Sequence, residues 1–236
     1  MLDVAWLGVI RHGESLGNVA AERAESTGGE IVDIDTADPL VLLSERGRGQ
    51  AEGVGRWLAG LPPDERPDVV IASPYRRAAE TAAIALRQLG DEAPPLRVDE
   101  RLRDRELGIL DRLTARGVAA RLPDEDARRR YLGKFYYRPP GGESWADVAL
   151  RLRSVLHDVG TDHRGRRVLL FAHEAVVHLV RYIVDELNVD DLLHLGRTPL
   201  ANAGLTAWLR TADGFRLVAA DEDVSPAEPA TRQPHV

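Results

Sequence analysis

The chain has no cysteine, and its 236 residues include one methionine and three phenylalanines. Without cysteine there is no disulfide, no thiol nucleophile and no Cys-held zinc or iron–sulfur group. Lysine is nearly missing as well: Lys134 is the only one, and arginine supplies the rest of the 31 basic residues. A long apolar run is also lacking. The most apolar late stretch, Ala175 to Val184, is short and carries His178 and Arg181, so it predicts no membrane span. Met1 to Ile10 has neither a basic leader nor a small-residue cleavage site, so a cytoplasmic location is expected. An excess of positive charge is absent too, since 38 acidic residues outnumber the basic ones and the net charge is -7. That balance excludes a general nucleic-acid or anionic-membrane binder.

Short β-type runs alternate with helical patterns, which predicts an α/β fold, a three-layer α/β/α sandwich around a mostly parallel sheet. Val4–Ile10, Val69–Ser73 and Val168–Ala172 read as buried strands, and Leu205–Thr211 with Phe215–Ala219 as a late pair turning at Asp213-Gly214. Ser73-Pro74 is expected to cap the helix that follows, and Ser144 with Asp147 to form a capping box for another. Glu174 to Leu187 reads as a third helix. Residues 28–43 are loop-like, and residues 111–142 read as a small inserted cap within a single domain spanning 1–220. The polar, proline-rich residues 221–236 are expected to form a disordered tail.

Three strand ends carry the chemistry. Arg11-His12-Gly13 follows the first, where open α/β sheets bind ligands. An arginine offers a fork of donors for a phosphoryl group, a neutral histidine a nitrogen nucleophile, and Gly13 close backbone approach. The second strand leads to Arg77 in the first turn of a helix, and the third delivers His173. If those strands are neighbours, the four side chains surround one phosphate.

In this order the motifs RHGESLGN (11–18), LSERGRGQA (43–51), SPYRRAAETA (73–82), LRDRELG (102–108), PPGGES (139–144) and FAHE (171–174) resemble the histidine phosphatase superfamily, in its phosphoglycerate-mutase-like group. The resemblance runs from Val4 to about Leu209. It implies that His12 becomes a phosphohistidine, that Arg11, Arg77 and His173 hold the phosphoryl oxygens, and that Asn18 lines the pocket. It implies no metal and no cofactor.

A carboxylic acid must protonate the leaving alkoxide and later activate water. Asp104 stands where the family usually has Glu, one methylene shorter, and Glu106 lies two residues on. Glu174 follows His173 where this group normally carries Gly, and another branch uses an acid there as proton donor. Asp104 is favoured by position, with Glu174 and Glu106 as competitors.

Other features read as structural. His173-Glu174 and His178 enclose three residues where a zincin has two, which separates the histidines on a helix. Gly47, Gly49, Gly53 and Gly55 lack dinucleotide-binding spacing and predict close helix packing instead. The segment 111–142 holds seven arginines and Lys134 against four acids, with Tyr131, Phe135, Tyr136 and Tyr137 among them. It predicts a basic, aromatic lid for an anionic substrate.

The expected activity is therefore a metal-independent phosphomonoesterase acting on a small anionic phosphate ester. Its rivals are mutase-type phosphoryl transfer and a catalytically impaired phosphate-binding domain. Short insertions and the missing W-x-D signature speak against the mutase. The expected partners are a small-molecule phosphate ester and, in a homo-oligomer, a second copy of the chain; neither nucleic acid nor membrane is expected.

Overall fold

Apolar runs bounded by turn residues become a six-stranded sheet in the computed structural model, which describes residues 2–225. In chain order the elements are β1 (Trp6–Arg11), α1 (Leu16–Ser26), α2 (Glu45–Gly60), β2 (Val69–Ala72), α3 (Arg76–Arg87), β3 (Leu96–Val98), α4 (Ala115–Arg121), α5 (Pro123–Tyr136), α6 (Trp145–Asp162), β4 (Arg167–Ala172), α7 (Glu174–Val184), α8 (Val189–Leu195), β5 (Gly204–Thr211) and β6 (Gly214–Asp223). The strand order is β3-β2-β4-β1-β5-β6, with the first four parallel and β5 and β6 antiparallel.

The period-two alternation of a strand splits its side chains between two cores. Leu7, Val9, Val168 and Leu170 pack with Leu152 of α6 and Val176 and Leu179 of α7. Trp6, Ile10, Leu169 and Phe171 pack with Val54 and Leu58 of α2 and Ala82 of α3. Helices thus cover both faces, as the alternation of the sequence predicts. Register then sets the height of the strand ends: Arg11 pairs with Ala172, and Ala72 with Phe171. His12, Ser73 and His173 consequently emerge together at the carboxyl edge of adjacent strands.

Helix α2 sits close to that edge because Gly47 has no side chain. A Cβ there would lie 1.9 Å from the Glu14 carbonyl oxygen. Gly53 and Gly55 meet Ser225 and α3 at similarly short range, whereas Gly49 faces open space.

Three expectations need correction. Helix α3 starts at Arg76 with Tyr75 as its N-cap, two residues later than the Ser73-Pro74 pattern predicts. Ser73 Oγ is engaged instead by the Tyr75 N–H and by His173. The expected disordered tail begins too early: β6 runs to Asp223 along β5, and Val224 and Ser225 are buried. The remainder of that expected tail, 226–236, lies outside the described residues. Finally, α7 ends at Val184 rather than Leu187.

The two irregular regions join each other. Ile31 bridges Leu113, Thr114 N–H donates to Glu30 O at 3.1 Å, and Arg121 pairs with Glu30 at 2.8 Å. Residues 28–43 and the cap thus form one cover over the strand ends.

Candidate active site

Each side chain at the carboxyl edge is held by a neighbour whose chemistry fixes its role. His12 Nδ1 lies 2.7 Å from its neighbour's carbonyl, Gly13 O. A carbonyl only accepts, so Nδ1 carries the proton and Nε2 keeps its lone pair. The His12 and His173 rings meet edge to face, with centroids 5.2 Å apart. His173 Nε2 contacts Ser73 Oγ at 2.8 Å, which turns its Nδ1 toward Asp104 Oδ2 at 3.4 Å.

Both expected arginines are buried beside these rings. Arg11 pairs with Glu174 Oε2 at 3.0 Å and also donates to the Leu200 carbonyl. Arg77 donates to Asp38 and, from Nη2, to Asp104 Oδ2 at 3.0 Å. Asp104 is the carboxylate that touches both an arginine of the site and its second histidine.

The competing acids are placed differently. Glu106 accepts from the Tyr75 hydroxyl and its side chain is 46% exposed. Glu174 is 14% exposed, bound to Arg11, and 3.8 Å from His178 Nε2. The segment carrying Asp104 is anchored from behind: Arg151 donates to the carbonyls of Arg101, Arg103 and Asp104 while its other N–H groups engage Glu143. Gly108 completes that anchor at φ +54°, where a Cβ would strike Pro140 O at 2.2 Å.

Two expected roles change in detail. The Gly13 N–H donates to Thr81 Oγ1 at 3.0 Å, so it is spent inside the protein, and glycine is required because a Cβ would meet Gly47 O at 2.5 Å. Asn18 closes a capping box with Ser15, and its amide oxygen also accepts from Asn202. That leaves the Asn18 Nδ2 donors to address a ligand. Asp38, Tyr75 and Asn202 enter the site without having been singled out in the sequence, and Ser73, expected only as a helix cap, enters it through His173. Asn202 is the hardest to anticipate, since it follows α8 by chain and reaches His12 O only through β5.

A cavity of about 460 Å³ opens beside these groups, with Asp38, Asp104, Arg105, Lys134, Trp145 and Glu174 in its wall. The Lys134 ammonium rests 4.6 Å over the Trp145 ring, and burial lowers its pKa to about 8. Arg105 and Arg129 add to that lowering by repulsion. The expected lid is thereby redrawn. Arg112 and Arg121 pair with Asp35 and Glu30 across the cover, Arg130 with Asp126 inside α5 and Arg138 with Asp147 of α6, so much of the cap's charge is spent in ion pairs. Tyr131 and Tyr136 point to solvent, and Phe135 and Tyr137 are packed inside. The rings in the cavity wall are Trp145 and His178, stacked with centroids 6.1 Å apart, so His178 is a buried residue of α7 that also borders the cavity.

Burial pushes both His12 and His173 well below the ordinary imidazole value, and the positive charge of Arg77 adds to the effect. Both rings are therefore neutral at physiological pH. The same shifts set a stability slope. The unfolded chain takes up protons on these histidines below about pH 6.5 while the folded chain does not, so stability falls as pH falls through that value. The loss per pH unit from each buried histidine is expected to start near about pH 6.5 and to steepen as the unfolded imidazole becomes fully protonated, toward a limit of one proton per histidine. Urea unfolding from that onset downward in pH measures the slope, and a flat profile would contradict neutral burial of the pair.

Among the described residues no three His, Asp or Glu side chains converge as a metal site, and no helix is long and apolar enough to cross a membrane. The sequence pattern of the histidine phosphatase superfamily, branch 1, matches residues 7–223. The chain is 30% identical over 223 residues to a glucosyl-3-phosphoglycerate phosphatase of Mycolicibacterium vanbaalenii, covering 91% of this chain and 87% of that protein. It is 31% identical over 215 residues to a 2,3-bisphosphoglycerate-dependent phosphoglycerate mutase of Methylobacterium radiotolerans, covering 86% and 92% respectively. A solved mycobacterial glucosyl-3-phosphoglycerate phosphatase with VO3 superposes with a TM-score of 0.73 at 27% identity, covering 92% of this chain and 99% of that one. With its ordered motifs at adjoining strand ends and this match over nearly its whole length, the chain belongs to branch 1 of the histidine phosphatase superfamily.

Proposed function

We propose that the protein is a metal-independent phosphomonoesterase that hydrolyses a small anionic phosphate ester through a phosphohistidine on His12. The observation that carries this reading is the His12 ring, held by Gly13 O so that Nε2 is the nucleophilic nitrogen, beside Arg77 and an Asp104 carboxylate that also faces His173.

In the first half-reaction Nε2 attacks phosphorus, the bond to the ester oxygen breaks, and protonated Asp104 gives its proton to the departing alkoxide. In the second, the Asp104 carboxylate takes a proton from water as its oxygen attacks phosphorus and the P–N bond breaks. Inorganic phosphate and neutral His12 result. The transition state in each half is loose and spreads charge over equatorial oxygens, so fixed cations carry most of the stabilisation. Arg11 and Arg77 are the cations for that task, with the neutral His173 and Asn18 as further hydrogen-bond donors.

Lys134 and Arg105 support the anionic character of the substrate. Lys134 feels the attraction of Glu174, and Arg105 that of Asp104 and Glu143, but the Arg105 fork donates only from Nε, to the Glu143 carbonyl, and the Lys134 ammonium lies over the Trp145 ring. Relatives named for glucosyl-3-phosphoglycerate are consistent with an ester that carries a second anionic group.

Relatives named as phosphoglycerate mutases favour a second reading, in which the phosphoryl group returns to a substrate instead of water. Phosphate release from a panel of phosphomonoesters in EDTA separates the readings. Release that persists in EDTA is expected. Isomerisation of a phosphoglycerate without release would assign the mutase, and neither activity on any ester would point to an impaired phosphate-binding domain.

A further inference from the structure

Arg77 has no terminal N–H to spare. A guanidinium carries five N–H groups, one on Nε and two on each terminal nitrogen. Nη1 donates to Asp38 Oδ1 and to the Asp38 carbonyl, both at 2.8 Å. Nη2 donates to Asp38 Oδ2 at 3.2 Å and to Asp104 Oδ2 at 3.0 Å. A phosphoryl oxygen can use a terminal nitrogen of this arginine only by taking over one of those four bonds.

The two carboxylates differ in how firmly they are held. Asp104 sits on the segment that Arg151 and Gly108 anchor, and its side chain is 27% exposed. Asp38 lies in a single 3-10 turn of the cover, residues 38–40, and its side chain is 43% exposed. Asp38 is therefore the group that can leave at lower cost. Its two carboxylate oxygens also match the fork as two phosphoryl oxygens would.

We infer that Asp38 is an internal competitor for the phosphoryl subsite: its carboxylate yields Arg77 to an incoming phosphoryl group and returns once phosphate is free to leave. The inference rests on the reading of this cavity as a phosphate-ester site. The guanidinium is never left bare in such an exchange, which matters because an uncompensated buried charge is costly. The displaced carboxylate meanwhile faces a bound anion, so every phosphate ligand meets the same threshold. An ester that also reaches Lys134 and Arg105 gains contacts that offset it. Inorganic phosphate has no such second group, so Asp38 keeps product affinity low.

The test is direct titration of the full chain with inorganic phosphate, followed by calorimetry, for the wild type and for Asp38→Asn, Asp38→Ala and Asp35→Asn. Asp35 lies on the same segment with its side chain fully exposed and 3.7 Å from Arg112, so it controls for general charge. Both Asp38 variants are expected to bind phosphate about tenfold or more tightly, with product inhibition strengthened by the same factor, and Asp35→Asn to stay within about twofold. Asp38→Asn keeps the size and one accepting oxygen, and unchanged thermal midpoints show that the chains are folded. Unchanged or weaker phosphate binding in both folded Asp38 variants would overturn the inference and make Asp38 a positioning residue for Arg77. Tighter binding without hydrolysis of any ester would retain the competitor and reject the phosphatase reading. Hydrolysis with unchanged affinity would do the reverse.

Discussion

Replacing His12 by alanine is expected to lower kcat for ester hydrolysis by about 10,000-fold or more, with KM changed far less. The expectation follows from how the ring is held. Its Nδ1 proton is fixed on Gly13 O, burial keeps the ring neutral, and Nε2 is the nitrogen left to attack phosphorus. Nothing else at the strand ends can replace that nitrogen, because His173 is fixed through Nε2 on Ser73 and faces Asp104 with Nδ1. Arg11 and Arg77 survive the substitution, so phosphate recognition survives with them. The measurement is a rapid quench with ester labelled at phosphorus. Wild-type chain is expected to carry a label stable to alkali and lost in acid, as a phosphoramidate is, and the variant to carry none. A variant that keeps more than about a tenth of the wild-type rate would remove His12 from the nucleophile's role.

The legible parts of this molecule were those where local chemistry and tertiary need agree. Val168–Ala172 is apolar throughout because β4 lies between β1 and β2 and is buried on both faces, so a plain hydrophobic run sufficed to find it. Ser144 and Asp147 form the capping box that their spacing predicts. Disagreement arose where a tertiary partner claims a local signal. Ser73 has the chemistry of a helix cap, but His173 occupies its hydroxyl, and the helix starts only after Tyr75. Asp221 to Asp223 look like a solvated tail, yet pairing with β5 makes them strand, and Asp221 Oδ1 accepts from Ala201 N–H at 2.8 Å. Asp38 was invisible for a different reason. It lies in a segment with no periodicity, and its partner Arg77 is 39 residues away. Arg112 and Arg121 of the cap likewise read as part of a free basic face because their partners Asp35 and Glu30 belong to a distant loop.

The acid was the part of the site that residue types alone left open, and geometry sharpens it into an experiment on leaving groups. Asp104→Asn is expected to lower kcat on alkyl phosphates by about 100- to 10,000-fold, since an alkoxide leaves poorly without a proton. A nitrophenyl ester needs no such help, because nitrophenolate is already a stable anion. With that ester the variant still phosphorylates His12 but lacks the base that activates water, so a burst of nitrophenolate and accumulation of phosphoenzyme are expected. Glu106→Gln is expected to cost no more than about tenfold, because its carboxylate is half exposed and engaged by Tyr75. Glu174→Gln acts through Arg11, to which it is bound at 3.0 Å, and so is expected to move KM more than kcat. Stopped-flow traces of the three variants on both ester types decide between these roles. A burst in Glu174→Gln with none in Asp104→Asn would transfer the proton-handling role to the residue beside His173. Asp104 would then be a positioning group for Arg77, consistent with its 3.0 Å contact there.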